Sequence, residues 1–499
     1  MKKLFKNPLF YLAIILVVAF VLRWLEINKT SFWYDESFTG NTVQLPWKEM
    51  FVVIARDKVH PPLYYIITKL WGFIFGYSQD ALRSLSIFWG MLTVALSYFI
   101  GKSLFDDKKK DKKVFPLTCL ILSAIFAISP FFIAYSIEAR SYAFLTTMAL
   151  LTSYTVIKYL DSKERKYLLL SILLGGIMCF THYLQLIFIV GLIMAALSYR
   201  YVYTEKGLNT KLLNSFLLIS AVLIVTLAIL PIKQILSSKG LEGSWWVPNS
   251  RLDDLARVYY SYLMGVVRYV NGVPWQRELS IPLYPQMLAG ALFVLHLLGL
   301  VAVVKNNKIE ITLKRRVFFF YVLSMLTFVG FASLSLFNIN TFVERYTIAA
   351  GVTLIVSIAS VLSLLSQFNK KILITFFIAY VILISLLKPM PALIDYRVIS
   401  DGLMKENVAL NAQRDIYQSP ADMINTMYYT GRSRAYYLFN FADEYEGWAL
   451  VDTNRGVNLD DIKKTDLFIV TLDQENNFVG KGFKEVKVLD NNLAILQKE

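Results

Sequence analysis

The chain has 499 residues, of which 56% are hydrophobic and only 17% are charged. A soluble globular protein carries about 45–50% apolar and about 25% charged residues, so this composition excludes an ordinary cytosolic enzyme and a disordered chain. The net charge of +15 could suggest nucleic acid, but the basic residues lie between apolar runs, where they report membrane topology. Cys119 and Cys179 lie inside apolar runs, so no disulfide framework is predicted.

Apolar runs along the whole chain predict a membrane protein. A helix needs about 20 consecutive apolar residues to cross the hydrocarbon core. The first run continues into Arg23, Trp24 and Glu26 without a small-residue cleavage site, so we interpret it as a retained span; a cleaved signal peptide is the alternative. We predict eleven spans, at 8–26, 81–105, 114–135, 139–160, 167–182, 183–202, 212–232, 284–304, 316–336, 346–366 and 372–388.

The distribution of lysine and arginine supports this count. The short outer turns hold almost no basic residues apart from Arg140 and Arg345. Basic residues favour the cytoplasmic side of a membrane, so we predict a multi-pass protein with a cytoplasmic N-terminus and an extracytoplasmic C-terminus. With that orientation the basic segments fall on the inner side, at 106–113, 161–166, 200–211, 305–316 and 370–371.

Three predicted outer segments are too polar to span the membrane. They are a first loop at 27–80, a second loop at 233–283 and a tail at 389–499. The tail is long enough for a small domain. The predicted organisation is therefore a transmembrane domain over residues 1–388 and an extracytoplasmic α/β domain over residues 389–499.

The tail carries its own secondary-structure signals. Residues 420–431 predict a short helix that ends at Gly431, and residues 466–472 predict a buried strand. The sequence KEVKVLDNNLAILQK predicts a hairpin that turns at residues 490–492. Helical and strand signals in one short segment favour a small α/β domain.

Ionisable groups near the ends of membrane helices are costly to desolvate and are therefore candidates for a functional or structural role. Arginine stays charged and binds phosphate bidentately, whereas a carboxylate suits removal of a proton from a hydroxyl or amine. Such groups recur in five motifs of the predicted outer face: WYDES with Asp35 and Glu36, VHPPLYY with His60 and Tyr64, YSIEARSY with Glu138, Arg140 and Tyr142, THY with His182, and FVERY with Glu344 and Arg345. This face could bind an anionic leaving group beside a base. A substrate with its tail in the lipid and its phosphate at the outer interface would fit.

Each motif taken alone also has a structural explanation. Asp35 and Glu36 could be solvated or could cap the next helix, and the two histidines of the motifs could be a hydrogen-bond donor and a helix cap. Arg140 and Arg345 could be topology anchors whose charged ends reach the interface. Convergence of complementary residue types on one face favours a binding or catalytic site over these separate explanations.

Together the five motifs resemble the bacterial GT-C glycosyltransferases, in particular the protein O-mannosyltransferase and aminoarabinose transferase group, which uses dolichyl- or undecaprenyl-phosphate sugars. The resemblance covers about residues 8–388. It implies a polytopic α-helical protein of the bacterial cytoplasmic (inner) membrane, with juxtamembrane helices in the first loop, for which 46–58 and 62–76 are candidates. Such enzymes move a sugar from a polyprenyl-phosphate donor to an acceptor outside the cytoplasmic membrane, with inversion at the anomeric carbon.

The resemblance also implies roles for the motif residues. Asp35 corresponds to the general base and Glu36 to an acid that helps to place the acceptor, while Arg140 and Arg345 correspond to donor-phosphate contacts. Some relatives bind a divalent metal near the first loop, where His60 and Asp35 could supply ligands, but no tight metal-ligand spacing assigns one. The other substrate-site candidates are His60, Tyr64, Glu138, Tyr142, His182 and Glu344.

The expected partners are a polyprenyl-phosphate-linked sugar, a lipid, glycan or protein acceptor, and membrane lipid, with no nucleic acid. The sugar, hexose or pentose, and the acceptor stay open. A ligase that uses a lipid-pyrophosphate-linked glycan shares the outer site and the arginines and is the alternative. A flippase or transporter would place charges and broken helices at mid-membrane, which the mostly clean spans disfavour.

Overall fold

The chain folds into two compact units. One contains Met1–Glu26 and Ser86–Met390, and the other contains Ile27–Leu85 and Pro391–Glu499. The first loop and the tail therefore belong to the same compact unit. The computed structural model describes residues 7–57, 60–105, 115–201, 258, 261–263, 283–334, 341, 343–366, 371, 375, 380, 395–431, 433, 435–438, 455–472, 474–479, 481–489 and 493–499.

The first unit is helical. Helix α5 crosses the boundary between the units, because its residues up to Leu85 belong to the second unit and the rest belong to the first. The second unit also contains three helices that precede α5 in the chain, α2 (Tyr34–Gln44), α3 (Trp47–Asp57) and α4 (Leu63–Phe75). The helices of the first unit are α1 (Pro8–Trp24), α5 (Gln79–Phe105), α6 (Phe115–Ile128), α7 (Pro130–Tyr135), α8 (Tyr142–Ser162), α9 (Arg165–Thr181), α10 (Gln185–Tyr201), α11 (Leu283–Lys305), α12 (Ile311–Leu334) and α13 (Ile348–Ser366).

Four helices of the described ranges are found to be both long and apolar enough to cross a membrane, namely α5, α8, α12 and α13. Shorter apolar helices lie over further predicted spans, α1 among them. The predicted span 212–232, nearly all of 372–388 and most of the second loop at 233–283 lie outside the described residues. The protein is a helical membrane protein, and the count of eleven spans stays a prediction.

The predicted span at 114–135 is interrupted in the structure, because α6 ends before Pro130 and α7 begins there. Proline has no backbone N–H to donate to the carbonyl four residues earlier, which here is that of Phe126. The buried guanidinium of Arg23 supplies the missing donors, at 3.0 Å to Phe126 O and 3.1 Å to Ala127 O. Its Nε donates to Ser136 Oγ at 2.7 Å. Arg23 therefore stabilises the break and the chain that leaves α7.

A second polar contact joins helices of the first unit at their predicted inner ends. Arg316 of α12 forms an ion pair with Asp161 of α8 at 2.7 Å. Arg316 also donates to the carbonyl of Leu104 at the end of α5, and the hydroxyl of Tyr199 in α10 donates to Asp161. Four helices are thus linked through one carboxylate and one guanidinium.

In the second unit, the tail combines two helices with a sheet of six strands. The strand order is β3-β2-β1-β4-β6-β5. Strands β1 to β4 pair in parallel, and β6 pairs antiparallel with β4 and β5. Apolar side chains such as Ile416, Phe468 and Leu496 are fully buried against the sheet. The elements are α14 (Tyr396–Ala409), β1 (Arg414–Tyr417), α15 (Pro420–Thr430), β2 (Ala435–Leu438), β3 (Gly456–Val457), β4 (Asp466–Thr471), β5 (Phe483–Leu489) and β6 (Leu493–Lys498).

Local sequence explains the elements of the tail. Helix α15 begins after Ser419, whose side chain accepts from Asp422 N, and ends at Gly431, where φ is +89°. Glycine adopts this positive φ without the steric penalty of other residues. Strands β5 and β6 form the two arms of the predicted hairpin, and its predicted turn at 490–492 lies outside the described residues.

A buried carboxyl group of α15 gives a pH-dependent test of this packing. Asp422 accepts a hydrogen bond from the Tyr396 hydroxyl at 2.7 Å, and burial raises the pKa of Asp422 above its ordinary value. The folded protein therefore binds this proton more tightly than the unfolded chain does. Stability associated with Asp422 is fully present below the ordinary aspartate pKa of about 4 and is lost as the pH rises through the folded-state pKa.

We expect Asp422→Asn, which keeps the acceptor oxygen but cannot ionise, to raise Tm at pH 7, with a difference that vanishes near pH 4. Thermal unfolding of the purified protein across this pH range measures the effect. The exposed Asp401→Asn is the matched control and should match the parent protein at every pH. An Asp422→Asn variant that is less stable than the parent at pH 7 contradicts the assignment.

Candidate active site

The acidic motif of the first loop forms the beginning of a helix. Residues 34–44, part of the predicted first loop, fold as α2, and Asp35 and Glu36 lie in its first turn. Carboxylates in this position interact favourably with the unpaired N–H groups and the positive end of the helix dipole. Asp35 is half-buried, whereas Glu36 is completely buried. The two adjacent acids therefore lie in different environments.

Glu36 is held by an arginine of the next long helix. Arg83 Nε donates to one oxygen of Glu36 at 2.8 Å, and Arg83 Nη2 donates to the other at 2.6 Å. The exposed fractions of the two side chains are 4% for Arg83 and 0% for Glu36. A two-point contact of this kind fixes both position and orientation. Both carboxylate oxygens of Glu36 thus take part in a buried ion pair.

Arg83 also binds the chain that leads into α2. This entry segment, residues 27–33, places the carbonyls of Ile27 and Thr30 at 2.7 and 2.8 Å from Arg83 Nη1. The carbonyl of Ser31 accepts from Arg83 Nη2 at 3.0 Å. One guanidinium therefore satisfies a carboxylate and three backbone carbonyls, so it orients the first turn of α2 relative to its entry segment.

The far end of α2 is closed by a lysine. The ammonium of Lys69 donates to Val43 O at 2.8 Å and to Leu45 O at 2.6 Å. It also lies 5.2 Å from the ring centroid of Trp47. A cation at a helix C-terminus interacts favourably with the exposed carbonyls and the dipole. Both ends of the acidic helix are therefore fixed by buried cations.

The histidine motif of the first loop has a local partner. His60 Nδ1 lies 2.9 Å from Asp57 Oδ2, and the same oxygen accepts from the His60 backbone N–H at 3.3 Å. Tyr64, on α4, is buried. Within the described part of the chain, no group of three or more His, Cys, Asp or Glu side chains is arranged to hold a metal ion. We assign no metal to His60 and Asp35.

In the first unit, the YSIEARSY motif forms a tight segment between α7 and α8. Arg140 N donates to Glu138 O at 2.7 Å, and Ser86 Oγ donates to the same carbonyl at 2.5 Å. The side chains of Glu138 and Arg140 are buried, with exposed fractions of 3% and 4%. Tyr142, also buried, begins α8 and packs edge-on against Tyr135 at 5.1 Å. These hydrogen bonds therefore fix the backbone from which the side chains of Glu138 and Arg140 extend.

Two other motifs of the first unit meet each other. The ring of His182 lies 5.2 Å from that of Tyr346, and Gln185 Nε2 donates to Tyr346 O at 3.2 Å. His182 Nδ1 accepts from Leu184 N at 3.3 Å, which orients the imidazole. The neighbouring Glu344 and Arg345 are half-buried. The THY and FVERY motifs are therefore in contact.

The sequence analysis missed residues that fix these segments. The hydroxyl of Tyr262 contacts Thr347 Oγ1 at 2.5 Å, and its ring packs edge-on against Phe131 at 4.7 Å. Tyr262 lies in the second loop, where a polar sequence gave no signal. The position of Arg83 does indicate a structural role, because an arginine in the first turns of a membrane helix needs a polar partner.

Breaking the buried ion pair should destabilise the unit that contains the first loop. Glu36→Gln keeps the shape of the side chain but leaves the Arg83 charge without its carboxylate, which typically costs about 3–5 kcal/mol for a buried pair. We expect a clear decrease in Tm on thermal unfolding. Glu49→Gln, at an exposed position of α3, is the matched control and should change stability by less than about 0.5 kcal/mol. Equal Tm values for the two variants would contradict this role of Glu36.

A family model described as dolichyl-phosphate-mannose-protein mannosyltransferase matches residues 59–232. No curated protein matches the chain. Among solved structures, ArnT from Cupriavidus metallidurans bound to undecaprenyl phosphate aligns with 13% identity and a TM-score of 0.43, over 98% of this chain and 97% of that chain. ArnT from the same organism in the apo state aligns with 12% identity and a TM-score of 0.45, over the same shares of the two chains.

The matched region begins just before His60 and contains the HPPLYY, YSIEARSY and THY motifs. These are three of the five motifs on which the resemblance rests, so the predicted resemblance is confirmed. A membrane glycosyltransferase is the class of protein that the match supports. The chain resembles the dolichyl-phosphate-mannose-protein mannosyltransferases over residues 59–232.

Proposed function

We propose that this protein is an inverting glycosyltransferase that moves a sugar from a polyprenyl-phosphate donor to an acceptor on the outer side of the cytoplasmic membrane. The observation that carries the proposal is the match of residues 59–232 to mannosyltransferases whose name specifies dolichyl phosphate mannose as donor. Helices long and apolar enough to cross a membrane are consistent with a lipid-linked substrate. The sugar and the acceptor are left open.

Asp35 is the proposed general base. It is less buried than Glu36 and lies in the first turn of a helix that is fixed at both ends. A carboxylate in hydrogen-bond reach of an acceptor hydroxyl or amine can take its proton during attack on the anomeric carbon. The bond from the anomeric carbon to the phosphate oxygen then breaks, and polyprenyl phosphate leaves with the bonding electron pair.

Arg140 is the proposed contact for the donor phosphate, and Arg345 is a second one. Negative charge develops on the phosphate as the glycosidic bond breaks, and a fixed guanidinium stabilises that charge best where water is excluded. The Arg140 side chain is buried, and the backbone that carries it is bonded to Glu138 O. The backbone at Arg140 is therefore fixed locally.

Glu36 is proposed to position α2 instead of contacting the acceptor directly, because Arg83 engages both of its carboxylate oxygens. The remaining motif residues are proposed to line the substrate site. Aromatic and imidazole groups suit a sugar or the entry of its lipid carrier, since they offer an apolar ring and a polar edge. These remaining motif residues are Tyr64, Tyr142, His60 and His182, together with the acids Glu138 and Glu344.

The decisive experiment uses the purified protein in lipid nanodiscs with a panel of radiolabelled polyprenyl-phosphate sugars and membrane extract as acceptor source. Release of free polyprenyl phosphate is measured for each donor. Release from one donor, with transfer of a single sugar, supports the proposal and identifies the sugar. Transfer of a whole glycan chain from a lipid pyrophosphate, with no release from any monophosphate donor, would establish the ligase alternative instead.

Removal of the proposed base should slow turnover severely without unfolding the protein. We expect Asp35→Asn to lower kcat by about 10³-fold, because general-base catalysis typically contributes about 10²–10⁴-fold. The donor-panel assay measures the rate, and a thermal unfolding profile like that of the parent protein shows that the fold is kept. Asp401→Asn, an exposed change of the same chemistry, should retain full activity. An Asp35→Asn variant with near wild-type rate would exclude Asp35 as the base.

The proposed phosphate contact gives a separate prediction. We expect Arg140→Ala to lower kcat/KM for the donor by about 10²-fold, because one fixed donor to a developing charge contributes about 10²–10³-fold. A donor titration at saturating acceptor measures the change. An unchanged donor dependence in a folded Arg140→Ala protein argues that the phosphate is bound elsewhere.

A further inference from the structure

The second unit contains contacts that none of the proposed catalytic roles uses. They join the tail helices α14 and α15 to the first loop. Tyr396 N donates to Ser31 Oγ at 3.0 Å, and Arg397 Nη1 donates to Asn28 O at 3.0 Å. Both acceptors lie in the entry segment, which leads directly into the acidic helix α2. The tail therefore binds the first loop close to Asp35 and Glu36.

The hydroxyl of Tyr429 is the central contact of this set. It accepts a hydrogen bond from Phe32 N at 2.8 Å and donates to Gln79 Oε1 at 2.6 Å. Gln79 in turn donates from Nε2 to Thr30 O at 3.0 Å. Burial raises the pKa of Tyr429 to about 12, so the hydroxyl keeps its proton at neutral pH and can donate and accept together.

The adjacent Tyr428 packs directly on α2. Its ring lies 4.6 Å from that of Phe32, and its hydroxyl donates to Tyr77 O at 2.7 Å. A Cβ placed on Gly40, in the middle of α2, would lie 2.5 Å from Tyr428 Cε2. Real Cβ atoms are not found so close to a neighbouring carbon, so glycine is needed for this approach. Asn41 Nδ2 adds a bond to Ile424 O at 3.1 Å.

We infer that Tyr429 is a positioning residue for the proposed catalytic helix: from the tail, it fixes the backbone that enters α2 and thereby the direction in which Asp35 points. The inference rests on the proposed function of Asp35. It deepens that function by giving the tail a direct role in the geometry of the proposed base. Tyr429 acts through the backbone of Phe32.

The test compares Tyr429→Phe with Tyr436→Phe in nanodiscs. Tyr436 is a partly buried tyrosine of β2 whose ring packs near Arg414 and Arg455, and phenylalanine keeps that ring. We expect Tyr429→Phe to lower kcat about tenfold while the donor KM stays within about twofold, because loss of alignment affects the chemical step more than donor binding. Tyr436→Phe should match the parent protein in both constants. Equal kcat values for the two variants would overturn the inference.

A second readout does not depend on catalysis. We expect hydrogen exchange in a peptide covering residues 30–44 to be about fivefold faster in Tyr429→Phe, because the Phe32 amide loses its acceptor. The rate should not change in Tyr436→Phe. Unchanged exchange in Tyr429→Phe would refute the positioning role whatever the activity. Absence of transferase activity in the parent protein would refute the proposed function and leave the exchange result to decide how α2 is held.

A second variant, on the α2 side of the packing between α2 and α15, tests whether the effects are specific to substitution of Tyr429. Gly40→Ala should force Tyr428 away from α2 and produce the same loss of kcat and the same faster exchange. Gly176→Ala is its matched control, because a Cβ at this helical position meets nothing within 4 Å. Normal kcat and normal exchange in Gly40→Ala would show that α2 does not depend on its packing against α15.

Discussion

The buried ion pair between Glu36 and Arg83 is the contact on which the first loop depends. A buried charge is tolerated only when it is paired and fully hydrogen-bonded. Arg83 meets that requirement with a carboxylate and three carbonyls at 2.6 to 3.0 Å. The same bonds bring the entry segment, α2 and the start of α5 together. The half-buried Asp35 thus belongs to a helix whose first turn is held by its immediate neighbour.

The same physical solution recurs at other interruptions of helical structure. Arg23 donates to the carbonyl of Phe126, which Pro130 leaves without its helical donor, and Lys69 donates to the carbonyls at the end of α2. Helix ends buried without such partners would be strongly destabilising. Arg23 and Lys69 therefore have a structural role inside the protein. They complete hydrogen bonds where helices stop, and such points adjoin the proposed functional segments.

Much of the architecture could be predicted from local sequence. Helices α3 and α4 lie within the predicted 46–58 and 62–76, and α15 ends before the predicted Gly431. The resemblance to mannosyltransferases also followed from five short motifs. Residues such as Arg83 and Tyr429 could not be assigned in the same way, because their partners lie in distant parts of the sequence. Tyr429 and Phe32 are separated by 397 positions, and no periodic pattern encodes such a contact.

The sequence by itself determined that the protein is a helical membrane protein with a set of complementary acids and arginines in its predicted outer segments. Hydropathy and charge distribution are properties of composition along the chain, so they can be read without a structure. Tertiary structure alone decided how the acids differ. Asp35 and Glu36 are adjacent in sequence, but Asp35 is half-buried, whereas Glu36 is fully buried and bound by Arg83 at both carboxylate oxygens. Burial and pairing depend on which side chains folding brings together, and that separates a positioning carboxylate from a proposed base.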